Sequence, residues 1–182
     1  MATKVKITDL KKVLKSSDKD ELEKLICELY KKDSFAENLI NCKLFGDEFE
    51  RQILKEYKDK METIFFPNNL LRGFSLSGAK KLITEYKKIT SNSQYLLDLI
   101  LYYVECGTDF TNNLGDIDMA FYNSMMNMFD SFASEIYKQP DEKIYLLFRD
   151  RLVTLSYDVR DIGWGYCDYI QEEISRLECQ FM

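Results

Sequence analysis

Four polar side chains recur along one stretch of the sequence at a spacing that brings them together. Asp98, Tyr102, Glu105 and Asp109 stand at positions i, i+4, i+7 and i+11, which share one face of an α-helix. Carboxylates gathered in this way either pair with a basic side chain or bind a hard divalent cation through their oxygens. The spacing therefore predicts a polar cluster and leaves these two kinds of chemistry open.

The two interpretations require different partners. In the first, Arg151, which lies at the edge of the apolar stripe of a later helix, forms a buried ion pair with Asp98 or Glu105. In the second, five carboxylates bind a divalent cation: Asp98, Glu105, Asp109, Asp116 and Asp118. The ion pair is preferred, because a chain without histidine cannot contain the Glu-x-x-His pairs of di-iron bundles. We assign no metal ligand and expect no cofactor.

The absence of histidine also limits catalysis. It excludes Ser-His-Asp and Cys-His nucleophile systems and every zinc site that contains histidine. Cys106 lies beside Glu105 and has no adjacent Lys or Arg, so we expect a structural thiol. We assign no catalytic residue and favour a protein that is not an enzyme.

The single tryptophan has two interpretations as well. Trp164 stands between Gly163 and Gly165, where the backbone can turn sharply around a large ring. The preferred interpretation is an aromatic side chain that closes the core at a junction between helices. The alternative is a ring that stacks on a ligand, in a small-ligand-binding protein or enzyme that also uses the carboxylates.

The carboxylate stretch lies in the most apolar segment of the chain. From Tyr95 to Val104, nine of ten residues are apolar or aromatic, and Asp98 is the exception. A helix that is apolar on all sides is buried, so a central helix is predicted from about 94 to 106. Gly107 is predicted as the left-handed residue that ends it.

The remaining pattern predicts an all-α fold. The chain has only two prolines and seven glycines in 182 residues, and no segment shows the alternation of a strand. We predict eight or nine helices, packed as antiparallel hairpins around the central helix. The predicted divisions are an N-terminal helical subdomain at 1–66, a loop at 67–74 and a main bundle at 75–182.

The charge of the chain is distributed unevenly. Residues 1–32 carry nine lysines and six acids, whereas residues 95–182 carry six basic and sixteen acidic groups. The acidic half should repel nucleic acid, although the lysine-rich start tolerates an anionic partner. Five cysteines without a Cys-x-x-Cys pair, and no recognisable signal peptide or membrane span, predict a cytoplasmic protein.

Five motifs spread along the chain carry a family resemblance. They are Leu76-Ser-Gly-Ala-Lys-Lys81, the helix from Asp98 to Glu105, Phe110-Thr-x-x-x-Gly-Asp-Ile-Asp118, Phe121-Tyr-x-Ser-Met125 and Ile162-Gly-Trp-Gly165. Together they resemble a group of small bacterial proteins known only as a domain of unknown function. The resemblance implies an all-helical bacterial cytoplasmic protein and brings no activity, cofactor or catalytic residue with it.

The sequence therefore favours a protein-interaction or structural module that binds an unknown protein or itself. The first alternative is a small-ligand or divalent-metal-binding protein or enzyme built on the carboxylates and Trp164. The second is weak nucleic-acid binding by the basic N-terminal helices, which resemble a SAP-type hairpin. A nucleic-acid partner is the less favoured of these, and no membrane partner is expected.

Overall fold

A computed structural model describes residues 5–67 and 73–181 of the chain. Within these ranges the chain forms nine α-helices and no strand, which confirms the predicted all-α class. The helices are α1 (Ile7–Ser16), α2 (Lys19–Lys32), α3 (Ser34–Phe45), α4 (Asp47–Phe65), α5 (Leu76–Ile89), α6 (Ser93–Leu114), α7 (Met119–Tyr137), α8 (Lys143–Asp158) and α9 (Tyr166–Phe181).

Short polar side chains define where several helices begin. Asp18 caps α2 in a capping box with Glu21, because it has a glutamate three positions later. Ser75 caps α5, since its hydroxyl accepts a hydrogen bond from the Gly78 amide at 3.1 Å. These caps satisfy amides that have no partner inside the helix.

The central helix is longer than the sequence predicted. Instead of ending near Cys106, α6 continues to Leu114, and the left-handed glycine after it is Gly115 with φ of 92°. Gly107 lies inside α6, where a Cβ atom would come within 2.1 Å of the Met125 sulfur on α7. Gly107 therefore allows α6 and α7 to approach closely and does not end the helix.

Aspartates just before α7 and α8 contact the first turn of each helix. Asp116 and Asp118 precede α7, whose first residue is Met119, and the Asp118 carboxylate accepts a hydrogen bond from the Phe121 amide at 2.8 Å. Pro140 lies in the turn before α8. The Asp141 carboxylate in the same turn accepts a hydrogen bond from the Lys143 amide at 3.0 Å.

Helix α6 contributes more buried residues than any other described helix. It packs against α4, α5, α7 and α8, and its buried face includes Leu99, Leu101, Tyr103 and Val104. One core cluster extends from Cys42 to Leu177, so helices on both sides of the predicted 67–74 loop share it. Most of that loop, residues 68–72, lies outside the described residues, and the division into two folding units stays a prediction.

The first two helices are separate from this core. Neither α1 nor α2 has a buried residue, and the one extended contact of α2 is with α3. Among the helices described, none has both the length and the apolar content needed to cross a membrane. The body of the protein is thus α3–α9, and α1 and α2 add little to its core.

Candidate functional site

Arg151 on α8 joins two carboxylates of α6. Its Nε and Nη2 donate hydrogen bonds to the two Glu105 carboxylate oxygens at 2.8 and 2.7 Å, and its Nη1 donates to Asp98. The preferred ion-pair interpretation is therefore correct for both carboxylates, since Arg151 reaches Asp98 and Glu105 together. The planar guanidinium suits this arrangement, because it donates two parallel hydrogen bonds to one carboxylate and a third to another.

The structure adds Lys58, which sequence analysis missed. The Lys58 ammonium on α4 lies 2.8 Å from an Asp98 carboxylate oxygen and 5.1 Å from the centre of the Tyr102 ring. Two cations thus balance Asp98 and Glu105, and this partly buried cluster is electrically neutral. The sequence does indicate that Lys58 lies near the apolar face of its helix, because it adjoins Tyr57 and stands between Leu54 and Met61 at helical spacing.

A small cleft lies beside this ion-pair cluster. Its volume is about 220 Å³, and four of the candidate residues line it, namely Tyr102, Glu105, Asp109 and Arg151. Small-molecule pockets usually enclose about 300 Å³ or more, so this cleft has room for one side chain rather than a cofactor. The structure therefore brings part of the predicted set together, although Arg151 and Glu105 already bind each other.

Asp109 is a carboxylate of this cleft that has no ion pair among the described residues. Burial against neighbouring atoms raises the pKa of its carboxyl group, and the charges of Asp158, Glu105 and Glu62 raise it further. The side chain nevertheless reaches solvent, and no ion pair to Asp109 forms within the described residues. Asp109 is thus a carboxylate in an acidic environment that an added cation would stabilise.

The thiol beside the ion-pair cluster is unreactive. Cys106 is buried, and burial raises the pKa of its thiol to about 12. A thiol with such a pKa stays protonated at neutral pH and is a poor nucleophile. The side chain therefore packs in the core, in line with the structural thiol that its neighbours in the sequence predict.

The other candidate residues lie away from the ion-pair cluster. Asp116 accepts a hydrogen bond from the Tyr122 hydroxyl at 2.8 Å, and the Tyr122 ring stacks on Trp164 with 6.3 Å between ring centres. Trp164 does not close the core, because 47% of it stays exposed. Its φ of 61° places a large residue in the left-handed region, where strain requires support from neighbours.

The alternative interpretation, a five-carboxylate metal site, has no counterpart among the described residues. In the described part of the chain, no group of three or more Cys, Asp or Glu side chains is placed so that it could hold a metal ion. Asp98 and Glu105 bind Arg151, Asp116 binds Tyr122 and Asp118 caps α7. Four of the five carboxylates therefore have protein partners, because the i, i+7 spacing places Asp98 and Glu105 against α8, while Asp116 and Asp118 follow a turn.

Glu50 is a buried carboxylate that the sequence analysis did not identify. Glu50 on α4 accepts hydrogen bonds from the Thr90 hydroxyl at 2.6 Å, the Ser91 hydroxyl at 2.7 Å and the Ser91 and Asn92 amides at 3.2 and 3.1 Å. Burial alone would raise its pKa, but these hydrogen bonds outweigh burial and lower it. Glu50 holds the start of α4 to the connection between α5 and α6, so its role is structural.

The N-terminal helices present a different kind of surface. Apolar side chains recur at helical spacing on α1 and α2, yet they are exposed: Ile7 is 66% accessible, Val13 60% and Ile26 52%. We call this set the N-terminal apolar stripes, and it consists of Val5, Ile7, Leu10, Val13, Leu25, Ile26 and Leu29. Within the described residues no other helix covers them.

Comparisons with known proteins place the chain in a family. No curated protein and no solved structure matches it. A match extends over residues 5–171 to a family described as "Family of unknown function (DUF6155)". The match covers the N-terminal helices, the ion-pair cluster and Trp164, and agrees with the resemblance seen in the sequence. The chain belongs to this family of unknown function.

Proposed function

We propose that this chain is a protein-interaction module and that the N-terminal apolar stripes are its contact surface. The observation that carries the proposal is the exposure of seven apolar side chains on, or just before, two amphipathic helices that have no fully buried residue. Exposed apolar patches of this kind mark sites that bind another macromolecule. The metal and ligand alternatives have less support, because the ion-pair cluster is neutral and self-satisfied.

The stability of the helices argues for a covering partner. Helix α1 has only ten residues, and isolated helices shorter than about 12 residues are marginal in water. Burying one large aliphatic side chain contributes roughly 1.5–3 kcal/mol. A partner that covers Ile7, Leu10 and Val13 would therefore both bind α1 and stabilise it.

The charges next to the stripes indicate the chemistry of the partner. Lys6, Lys11, Lys12 and Lys15 accompany the apolar residues of α1, against a single acid, Asp9. Such a surface fits an apolar protein surface with acidic side chains at its rim. Nucleic acid fits less well, because α2 carries four lysines and four acids, and a phosphate backbone would leave the apolar stripes uncovered.

Photo-crosslinking in the native cell tests the proposal. The full chain carries p-benzoylphenylalanine at Val13, on the apolar face of α1, or at Lys12, on the opposite face as the matched control. We expect protein adducts from position 13 that Leu10→Glu abolishes and that position 12 does not form. Mass spectrometry of the adduct should show an apolar segment next to Asp or Glu residues.

Two results would overturn the proposal. One is the absence of protein adducts at position 13, or equal adducts at both positions. The other is a mobility shift of single- or double-stranded DNA at low salt that Lys11→Glu with Lys15→Glu removes. That second result would assign the surface to nucleic acid.

A further inference from the structure

We infer that the partner of the N-terminal apolar stripes is a second copy of this chain, bound through its acidic end. This inference rests on the proposed function and names the partner. The acidic end is the part of the body where the α6–α7 and α8–α9 connections meet. Its exposed groups are Asp109, Asp116, Asp118, Asp158, Asp161, Leu114, Met119 and Trp164.

The two connections are held together by specific contacts. The Asn112 side-chain amide on α6 donates a hydrogen bond to the Asp158 carbonyl at the end of α8, at 2.9 Å. The Tyr122 ring stacks on Trp164, and the Tyr122 hydroxyl donates to Asp116. The acidic end is therefore one surface of the folded body, although its residues are far apart in the sequence.

The charges of the two surfaces are complementary. Residues 109–118 and 158–165 contain five aspartates and one basic residue, Arg160, whose guanidinium lies 4.0 Å from the centre of the Tyr157 ring. Residues 5–16 contain four lysines and one aspartate. Opposite patches of this kind steer two molecules together and fix their orientation.

The cleft beside Asp109 suits a lysine side chain. It has room for one side chain, and Asp109 and Asp158 both line it. The neighbouring carboxylates raise the pKa of Asp109, so a lysine ammonium in the cleft would relieve their repulsion. The cleft is thus a receptor for one of the α1 lysines.

The acidic end also offers apolar contacts. Leu114, Met119 and Trp164 are each about half exposed at the ends of α6, α7 and the α8–α9 connection. Trp164 is held in a left-handed conformation with one ring face against Tyr122. Large aromatic rings fixed in this way are frequent anchors of protein interfaces. Leu114, Met119 and Trp164 can therefore make apolar contacts with the apolar side chains of α1.

The two surfaces do not meet within one chain. The extended contact of the N-terminal helices is between α2 and α3, and neither α1 nor α2 packs extensively on α6–α9. Since every copy carries both surfaces, the contact forms between copies. It joins two different patches, so it closes either as a reciprocal exchange of N-terminal helices or as a ring.

Exchange of charge between the two surfaces tests the inference. One variant carries Lys11→Glu and Lys15→Glu, and the other carries Asp158→Lys and Asp161→Lys. Light scattering on the full chain should show association of the wild type that weakens with salt. Each variant alone should associate at least about tenfold more weakly than the wild type. An equimolar mixture of the two variants should associate again, because the glutamates of one then face the lysines of the other.

A matched control separates this effect from net charge. Lys55→Glu with Lys88→Glu makes the same charge change on exposed positions of α4 and α5, and it should leave association unchanged. The milder pair Asp158→Asn and Asp161→Asn should still weaken association if the lysine variant does not fold. A strictly monomeric wild type, or a mixture that does not associate, would overturn the inference.

The single tryptophan provides an independent readout. Association should bury Trp164 and shift its emission to shorter wavelength as the concentration rises, in the wild type but not in the Lys11→Glu, Lys15→Glu variant. A monomeric wild type that still forms crosslinks from position 13 in cells would refute self-association and leave the proposed function standing. If position 13 forms no protein adducts and the wild type is monomeric, both the proposed function and the inference of self-association are refuted.

Discussion

The buried carboxylate of Glu50 shows what a single residue contributes to this fold. Only 3% of Glu50 is exposed, and it joins the first turns of α4 to the residues that precede α6. Its four donors are two hydroxyl groups and two backbone amides, none of which carries a charge. Hydrogen bonds to a charged acceptor are the stronger kind, and each contributes about 1.5–3 kcal/mol.

Glu50→Gln should lower the free energy of unfolding at pH 7 by about 3 kcal/mol, because the amide nitrogen cannot accept hydrogen bonds. Denaturant unfolding measures the change. The matched control is Glu56→Gln, an exposed position of the same helix, which should change stability by less than about 0.5 kcal/mol. Equal effects of the two substitutions would contradict the role of Glu50.

The same residue predicts a dependence on pH. The folded state lowers the pKa of Glu50 below its unfolded value of about 4.3, so the folded state binds its proton less readily. Its contribution is therefore fully present above the unfolded pKa and is lost as pH falls through the folded pKa. The stability difference between wild type and Glu50→Gln should stay constant near neutral pH and shrink below about pH 4.

Gly107 limits the packing of α6 on α7. Gly107→Ala should lower the free energy of unfolding by about 0–2 kcal/mol, because overpacking costs about 1–3 kcal/mol and the better helix propensity of Ala offsets about 1 kcal/mol of this. In the Met125→Ala background, which opens the space, the same substitution should become neutral or stabilising. A double-mutant cycle measured by thermal unfolding tests whether the two substitutions are coupled. If their effects on the free energy of unfolding are additive, this would count against the contact.

At the scale of the helices, Arg151 connects α8 to α6, and Lys58 adds α4 to the same ion-pair cluster. Removing one member of such a cluster leaves another charge partly buried and unpaired. Because the side chains keep some contact with solvent, we expect the low end of the cost of a broken buried pair.

Arg151→Met should lower the free energy of unfolding by about 3 kcal/mol. Arg151→Lys should fall between this variant and the wild type, because lysine keeps the charge but loses the fork of parallel hydrogen bonds. Lys32→Met breaks the exposed pair with Glu28 and serves as the control, with an expected change of about 0–1 kcal/mol. If both methionine variants behave alike, the ion-pair cluster is not stabilising.

At the scale of the whole molecule, the body and the N-terminal helices should respond differently to mutation. Ile7→Ser with Val13→Ser removes apolar groups that are exposed. The free energy of unfolding of dilute protein should therefore change by less than about 0.5 kcal/mol. Met61→Ala in the core should cost about 2–5 kcal/mol.

Hydrogen exchange gives a second measurement of the same difference. Backbone amides of α6 should exchange slowly, and those of α1 should exchange quickly in dilute protein and more slowly once the protein associates. Slow exchange throughout α1 in monomeric protein would contradict the separation of the N-terminal helices from the core.

Much of the fold could be predicted from local signals. Apolar periodicity located the helices, and the residue types favoured an ion pair of Arg151 with Asp98 or Glu105 without deciding between the two. The errors arose where a distant element decided the outcome. The sequence places Gly107 at a helix end because its approach to Met125 is invisible in the local sequence, and it does not identify Lys58 because the packing of α4 on α6, which brings Lys58 to Asp98, is not visible there either.

The sequence by itself determined the all-α class, the buried centre and the amphipathic character of α1 and α2, because side-chain period and charge are local properties. Only the tertiary structure decided which carboxylates are paired and that the N-terminal apolar stripes are left uncovered. It also decided that Asp109, Asp158 and Trp164 lie at one end of the body. These outcomes depend on contacts between residues far apart in the chain, which no local pattern encodes.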